Sequence, residues 1–160
     1  MTSNPGESYR EFQFAILIFS VAIPVQILQA YLYLNHLGNN PMGLNSFVIL
    51  NLIFVCVYLL FFGMTTKVDK ERLFISYGIG LFRKKINLDQ IQHVTIVKNP
   101  WYYGWGIRLI PHGMLYNIGG SGGIELKLKE TASVIRIGSA DPMRLKEEIQ
   151  KQLKRLAAGD

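Results

Sequence analysis

The side chains best suited to chemistry are few in this chain of 160 residues, and they do not cluster along it. The single cysteine, Cys56, lies inside an apolar run, where a thiol is typically an inert small hydrophobe. The three histidines occupy a predicted loop, strand and turn: His36, His93 and His112. Their separations match no ligand spacing, so isolated surface imidazoles are expected rather than a metal site.

No nucleophile-elbow, zinc-hydrolase or redox motif is present in the sequence. The glycine-rich run 119–123 is not followed by Gly-Lys-Ser/Thr and precedes no helix, so it predicts a hairpin turn rather than a phosphate cradle. Acidic residues such as Asp69, Asp89 and Glu125 form no pair spaced for acid–base work. The sequence therefore predicts a protein that is not an enzyme and that needs no cofactor or metal.

The most distinctive stretch is Trp101–Arg108, which contains both tryptophans of the chain. Aromatic side chains in such a cluster can dip into a membrane surface, form a face for a protein partner, or close the end of a small barrel. The candidates for contact with a partner are Trp101, Tyr102, Tyr103 and Trp105.

Charge divides the chain near residue 65. The first 64 residues contain only Glu7, Arg10 and Glu11 as charged side chains, whereas the rest is strongly basic. The candidates for binding anionic lipid headgroups are Lys67, Lys70, Arg72, Arg83, Lys84 and Lys85. The simpler alternative is that they flank a membrane span and line a solvated strand face. Nucleic-acid binding is disfavoured, because aromatic residues do not interleave with these charges.

Two apolar runs, 12–34 and 46–64, predict a transmembrane helical hairpin over residues 12–64, since each can cross about 30 Å of hydrocarbon. A cleaved signal peptide is the rival interpretation of the first run. The loop between the runs has no Lys or Arg, so both termini are expected in the cytoplasm, with residues 1–11 as an N-terminal tail. An antiparallel hairpin places Gln29 and Asn51 at one depth, which predicts a hydrogen bond between them.

The remainder, residues 66–156, reads as about seven short antiparallel strands followed by an amphipathic helix over 142–156. Asp141 and Pro142 are typical of a helix start. The helix stripe of Leu145, Ile149, Leu153 and Leu156 would cover two orthogonal sheets that bury their alternating residues. The predicted fold is therefore an all-β barrel with one C-terminal helix.

Several segments of this part resemble bacterial PH-domain (pleckstrin-homology-like) membrane proteins. They are Leu73–Gly78, Ile86–Ile91, Gly104–Arg108, Leu115–Asn117 and Ile135–Gly138. The resemblance implies a PH-like barrel preceded by a membrane hairpin, at the bacterial inner (cell) membrane, and it implies no functional residues.

The favoured hypothesis is a non-enzymatic, membrane-anchored PH-like module that binds a protein partner or a second copy of itself at the cytoplasmic face. The alternative is a sensor of anionic lipid headgroups that uses the basic strand face. A small transporter subunit or an enzyme is disfavoured, because charged membrane residues and catalytic groupings are both missing from the sequence. Counted from the membrane, the third predicted strand ends far from the bilayer. This count, which starts at residues 72–77, disfavours insertion of the aromatic residues into the membrane. Gly104 and Gly106 fit a tight approach into the next strand, which favours a structural plug over a partner-facing patch, with Trp105 partly packed and Tyr102 and Tyr103 more exposed.

Overall fold

The computed structural model describes residues 7–158, which form two apolar helices, two β-sheets and a C-terminal helix. The helices are α1 (Ile16–Leu34), α2 (Leu44–Phe61) and α3 (Pro142–Ala158). The strands are β1 (Glu7–Phe14), β2 (Gly63–Asp69), β3 (Arg72–Tyr77), β4 (Phe82–Asn87), β5 (Ile91–Lys98), β6 (Gly106–Ile110), β7 (Gly113–Asn117), β8 (Gly122–Leu128) and β9 (Val134–Gly138).

Helices α1 and α2 form a hairpin, and each is long and apolar enough to cross a membrane. Their bounds lie close to the predicted spans 12–34 and 46–64, although α1 starts later because β1 occupies residues up to Phe14. Stacked aromatic rings join the two helices, with Tyr33 and Phe47 centred 4.1 Å apart. No residue of α2 is buried within the described chain, and Gln29 is the buried residue of α1.

The predicted hydrogen bond between Gln29 and Asn51 is wrong. The Asn51 amide donates instead to the Phe47 carbonyl of its own helix, at 2.9 Å. Both polar atoms of the Gln29 side chain are buried without a partner among the described residues. The polar link between the helices lies elsewhere, where the Tyr58 hydroxyl donates to Gln26. Equal depth in the hairpin was therefore not enough to predict a hydrogen bond between the two side chains, because a side chain can also form a hydrogen bond with the backbone of its own helix.

The first sheet, sheet A, has the order β1-β2-β3-β4 with antiparallel neighbours. Residues 7–11 of the predicted N-terminal tail are thus part of a strand, and residues 1–6 lie outside the described residues. Strand β1 pairs with β2 across the whole helical hairpin, with Phe14 opposite Gly63. The hairpin is therefore an insertion between two neighbouring strands of one sheet, and the domain begins before it.

The second sheet, sheet B, has the order β5-β8-β9-β7-β6. Strands β7 and β9 are parallel, so the expectation of an all-antiparallel arrangement is wrong at this pair. The two sheets are separate and do not form a closed barrel, and eight strands rather than seven follow the hairpin. The described fold is thus two sheets of four and five strands with a C-terminal helix.

Helix α3 covers the core between the sheets, as its stripe predicted. Leu145 and Ile149 are fully buried, and Leu153 packs against the same cluster. The Asp141 carboxylate accepts a hydrogen bond from the Arg144 amide at 3.1 Å, which confirms Asp141 as the residue that caps the helix. The helix extends to Ala158, two residues beyond its predicted end.

The parallel pairing of β7 and β9 depends on a glycine. A Cβ atom on Gly113 would lie 1.8 Å from the Val134 carbonyl oxygen, so neither backbone can stay in place if a side chain is added. We expect Gly113→Ala to lower the free energy of unfolding by about 1–3 kcal/mol, the usual cost of overpacking. Denaturant unfolding of the full chain in detergent, followed by tryptophan fluorescence, measures this loss.

The matched control is Gly119→Ala, because no atom lies within 4 Å of the added Cβ at that position. Equal stability of the two variants would show that strands β7 and β9 are not in close backbone contact.

Candidate functional site: the hairpin-proximal end of the domain

Both apolar helices leave the domain from the same end, which we call the hairpin-proximal end. Strand β1 stops at Phe14, β2 starts at Gly63, and these two residues face each other across the sheet. The Ala15 amide donates to the Phe62 carbonyl at 3.0 Å, so the pairing continues to the first residue of each connection. Only one residue separates each strand from its helix.

The turn between β3 and β4 is attached to the last turn of α2. The Ile79 amide donates to the Leu59 carbonyl at 3.1 Å, and the Gly78 amide donates to the Gly63 carbonyl at 2.8 Å. A Cβ atom on Gly78 would lie 2.2 Å from the Leu59 oxygen, and the φ angle of Gly78 is +51°, so glycine is required there. The turn therefore lies beside the end of the apolar helix.

This turn exposes apolar side chains where polar ones are usual. Ile79 is 62% exposed and Leu81 is 70% exposed. The Arg83 guanidinium donates to the Gly80 carbonyl and so holds the turn closed. Neither Ile79 nor Leu81 was among the predicted site residues. The available signal was the apolar character of Ile79 between Gly78 and Gly80 and of Leu81 directly after Gly80.

The aromatic loop, residues 99–105, lies at the same end. The Tyr77 hydroxyl donates to the carbonyls of Gly106 at 3.4 Å and Asn117 at 3.3 Å. The Gln13 amide donates to the Gly138 carbonyl at 3.0 Å. These bonds bring the hairpin-proximal ends of β1 and β3 against the ends of β6, β7 and β9. The expectation that Trp101–Arg108 lies at the end far from the helices is therefore wrong.

The error has a simple cause, which is that strands alternate in direction. The predicted strand count started at residues 72–77, but β2 precedes them and is the strand that runs away from the helices. Strand β3 therefore returns toward the helices, and so does β5. One omitted strand moved the predicted loop to the opposite end of the domain.

The aromatic side chains of this loop differ in exposure. Trp101 is 84% exposed, and Tyr102 and Trp105 are also exposed. Tyr103 is the half-buried member, with its ring 5.7 Å from the Arg136 guanidinium. Arg136 in turn forms a 2.7 Å ion pair with Glu125. Trp105, at 40% exposure, is partly packed and Tyr102 is more exposed, as predicted. The prediction is wrong for Tyr103, because its ring packs against the Arg136 guanidinium.

The six basic candidates do not form one group. Lys67 and Lys85 belong to one cross-strand row of sheet A, because each is paired with Phe74 of β3. Arg10 of β1 is paired with Lys67 and is the next member of this row. Lys70 and Arg72 lie at the distal end, where β2 turns into β3. The sequence analysis did not select Arg10, because its position in a strand was not recognised.

The other two candidates, Arg83 and Lys84, border a cleft between the edge strands β4 and β6. The cleft encloses about 110 Å³ and has an apolar lining: Ile75, Tyr77, Phe82, Ile107 and Tyr116. A larger cavity of about 420 Å³ lies at the distal end, between the β2–β3 turn and α3. Its lining residues are Lys70, Glu71, Gln152, Arg155 and Leu156.

Residues 10–102 match the family described as EbsA-like protein, which is more than half of the chain. The chain belongs to the EbsA-like family. The matched segment starts within β1 and ends in the aromatic loop, so it includes the helical hairpin, β2, β3, β4 and β5. No curated protein and no solved structure matches the chain.

The titratable groups of this EbsA-like chain form no metal site in the part that the structure describes. Within residues 7–158, no group of three or more His, Cys, Asp or Glu side chains is placed to hold a metal ion. Glu11 has a structural role, since its carboxylate accepts hydrogen bonds from the Ser139 hydroxyl at 2.7 Å and the Ala140 amide at 2.6 Å. These bonds attach β1 to the start of α3.

Tyr77 connects the two sheets at the hairpin-proximal end. Its buried position there makes the stability of the folded chain fall at alkaline pH. Burial, and to a smaller extent the neighbouring Tyr116, raises the pKa of Tyr77. The unfolded chain therefore ionises near pH 10 while the folded chain does not, so stability is complete below pH 10 and is lost above it. For this group the loss is about 1.4 kcal/mol per pH unit.

We expect Tyr77→Phe to lower stability at pH 8 by about 1 kcal/mol, through the lost hydrogen bonds, and to flatten the alkaline fall. Urea unfolding at pH 8 and above pH 10 measures both effects. Tyr102→Phe is the control, because Tyr102 is exposed and should leave the alkaline fall unchanged. An equally steep fall in both variants would contradict the role of Tyr77.

Proposed function

We propose that this EbsA-like protein is a non-enzymatic, membrane-anchored binding or assembly module at the cytoplasmic face of a bacterial cell membrane. The observation that carries the proposal is the exposure of α1 and α2. Their apolar side chains point outward on all sides, and the rest of the described chain covers almost none of them. In water this apolar area would be unfavourable by about 25 cal/mol per Å². A bilayer covers it.

The direction of insertion follows from charge. The loop between the helices, residues 35–43, has no Lys or Arg, whereas the domain that follows the hairpin is basic. By the positive-inside rule the domain remains in the cytoplasm and the loop is outside. Because β1 and β2 belong to the domain, both ends of the hairpin lie on the same side, which requires an even number of crossings.

A PH-like character of the domain belongs to the same proposal. Two packed sheets closed by a C-terminal helix support it. Strand β1 and the parallel β7–β9 pair distinguish the domain from a seven-stranded antiparallel barrel.

Membrane topology is tested by labelling single cysteines in cells. Cys56→Ser removes the native thiol, and Asn39→Cys or Lys154→Cys then introduces one reporter in the loop or in α3. We expect a membrane-impermeant maleimide to label the Asn39→Cys protein in intact cells, and the Lys154→Cys protein only after permeabilisation. Labelling of neither protein before permeabilisation would contradict a hairpin that crosses the membrane.

The binding function is tested by lysine crosslinking in native membranes, followed by mass spectrometry. We expect crosslinks from distal lysines, such as Lys70 and Lys154, to a protein partner or to a second copy of the chain. These residues are exposed and lie away from the helices. Crosslinks confined to single chains would contradict an assembly module.

An anionic-lipid sensor is the second candidate function. It is favoured by the position of Arg83 and Lys85, which follow directly on the turn that is attached to α2. Lys70 and Arg72 do not contribute to this surface, because they lie at the distal end.

A further inference from the structure

We propose that the hairpin-proximal end is a lipid-docking surface that binds anionic phospholipid of the bilayer containing the hairpin. The inference rests on the proposed function in one respect, since α1 and α2 must cross the membrane. It adds that the domain itself touches the bilayer, and it assigns the residues that do so.

The first element of this surface is an apolar collar around the points where the helices leave the domain. Its members are exposed side chains from both sheets: Phe12, Phe14, Ile79, Leu81, Trp101 and Tyr102. Phe12 and Phe14 lie on the outer face of β1, and Ile79 and Leu81 lie in the β3–β4 turn.

The depth of the collar follows from its attachment to α2. Because the Ile79 amide bonds the Leu59 carbonyl, Ile79 lies level with the last turn of a helix that ends at Phe61. If α2 crosses the hydrocarbon layer, the turn lies at the boundary of that layer. Isoleucine and leucine are favoured below this boundary, and tryptophan and tyrosine are favoured at it.

The second element is a basic belt farther from the helices, consisting of Arg10, Lys67 and Lys85, which lie in one cross-strand row. Along β1, Arg10 lies two residues beyond Phe12, which is about 7 Å at the usual rise of a strand. The polar layer on each side of a bilayer is about 5–8 Å thick. The order from helix to domain is thus apolar collar, then basic belt, which matches the order of hydrocarbon and phosphate.

Charge complementarity selects the lipid class. The belt contains only cations, and long basic side chains can extend toward phosphate while their methylene stems cover apolar surface. Zwitterionic lipid satisfies the collar but gives little net attraction to the belt. A bilayer that contains anionic lipid satisfies both elements.

The chain contains its own reporter of this contact, since Trp101 and Trp105 are its only tryptophans. We reconstitute the full chain into vesicles and measure quenching by lipids brominated near the headgroup and by aqueous acrylamide. We expect strong quenching by bromolipid and weak quenching by acrylamide. Ile79→Trp, in a Trp101→Phe and Trp105→Phe background, reports the turn separately and is expected to be the more deeply placed.

The anionic preference is measured with the Ile79→Trp reporter, as the ratio of quenching by brominated phosphatidylglycerol to quenching by brominated phosphatidylcholine. Arg10→Gln with Lys85→Gln removes two belt charges and should lower the apparent preference by about thirty-fold, the effect of two charges at about 1 kcal/mol each close to the surface. The matched control, Lys70→Gln with Lys154→Gln, removes two exposed distal charges and should leave the ratio unchanged.

Three results would overturn the inference. Free quenching by acrylamide with none by bromolipid would place the collar in water, available to a protein. Protection from both quenchers, lost when the protein is diluted in the membrane, would identify a second copy as the occupant. Equal quenching by the two bromolipids would remove the anionic preference. Cysteine labelling from outside the cell would remain positive in each case, so these failures are distinct from failure of the proposed function.

Discussion

The pairing of β1 with β2 is the interaction on which the rest of the structure depends. At their closest pair, Phe14 and Gly63, these strands are separated by the 48 residues 15–62, which contain the whole helical hairpin. A Cβ atom on Gly63 would lie 2.8 Å from the backbone carbonyl oxygen of Gln13, so the close approach of β1 favours a glycine there. Without this pairing, the two helices would have separate connections to the domain. With it, sheet A and the hairpin form one unit.

The orientation of the domain follows from this unit. A flexible linker of n residues allows an end-to-end distance of about 5–6 Å × √n, and a long one would let the domain turn freely. Here one residue separates each strand from its helix, Ala15 is fully buried, and the β3–β4 turn adds a third attachment at Leu59. Because three backbone connections hold one end of the domain against the helices, that end has a fixed direction. The proposed contact with lipid at that end therefore needs no additional ordering of the chain.

Sequence patterns were sufficient where apolar residues follow a clear period. The two apolar helices and the stripe of α3 were predicted close to their observed positions. Strand β1 was missed because two of its inward residues, Glu11 and Gln13, are polar. Both side chains form hydrogen bonds with groups far along the chain, Glu11 with the Ser139 hydroxyl and Gln13 with the Gly138 carbonyl. No pattern within residues 7–14 reveals those partners.

Strand β2 was missed for a different reason, and the consequence reached much farther. Its first residues, Gly63 and Met64, continue the apolar character of α2, so the predicted span absorbed them. In an antiparallel sheet each strand reverses the direction of the one before it. The end of the domain at which a loop lies therefore depends on whether an even or an odd number of strands precedes that loop. Missing β2 changed that count by one and reversed the position of Trp101. The exposed tryptophan that was expected far from the helices therefore lies beside them, and hydrogen bonds from Tyr77 and Gln13 hold the two sheets together at that end.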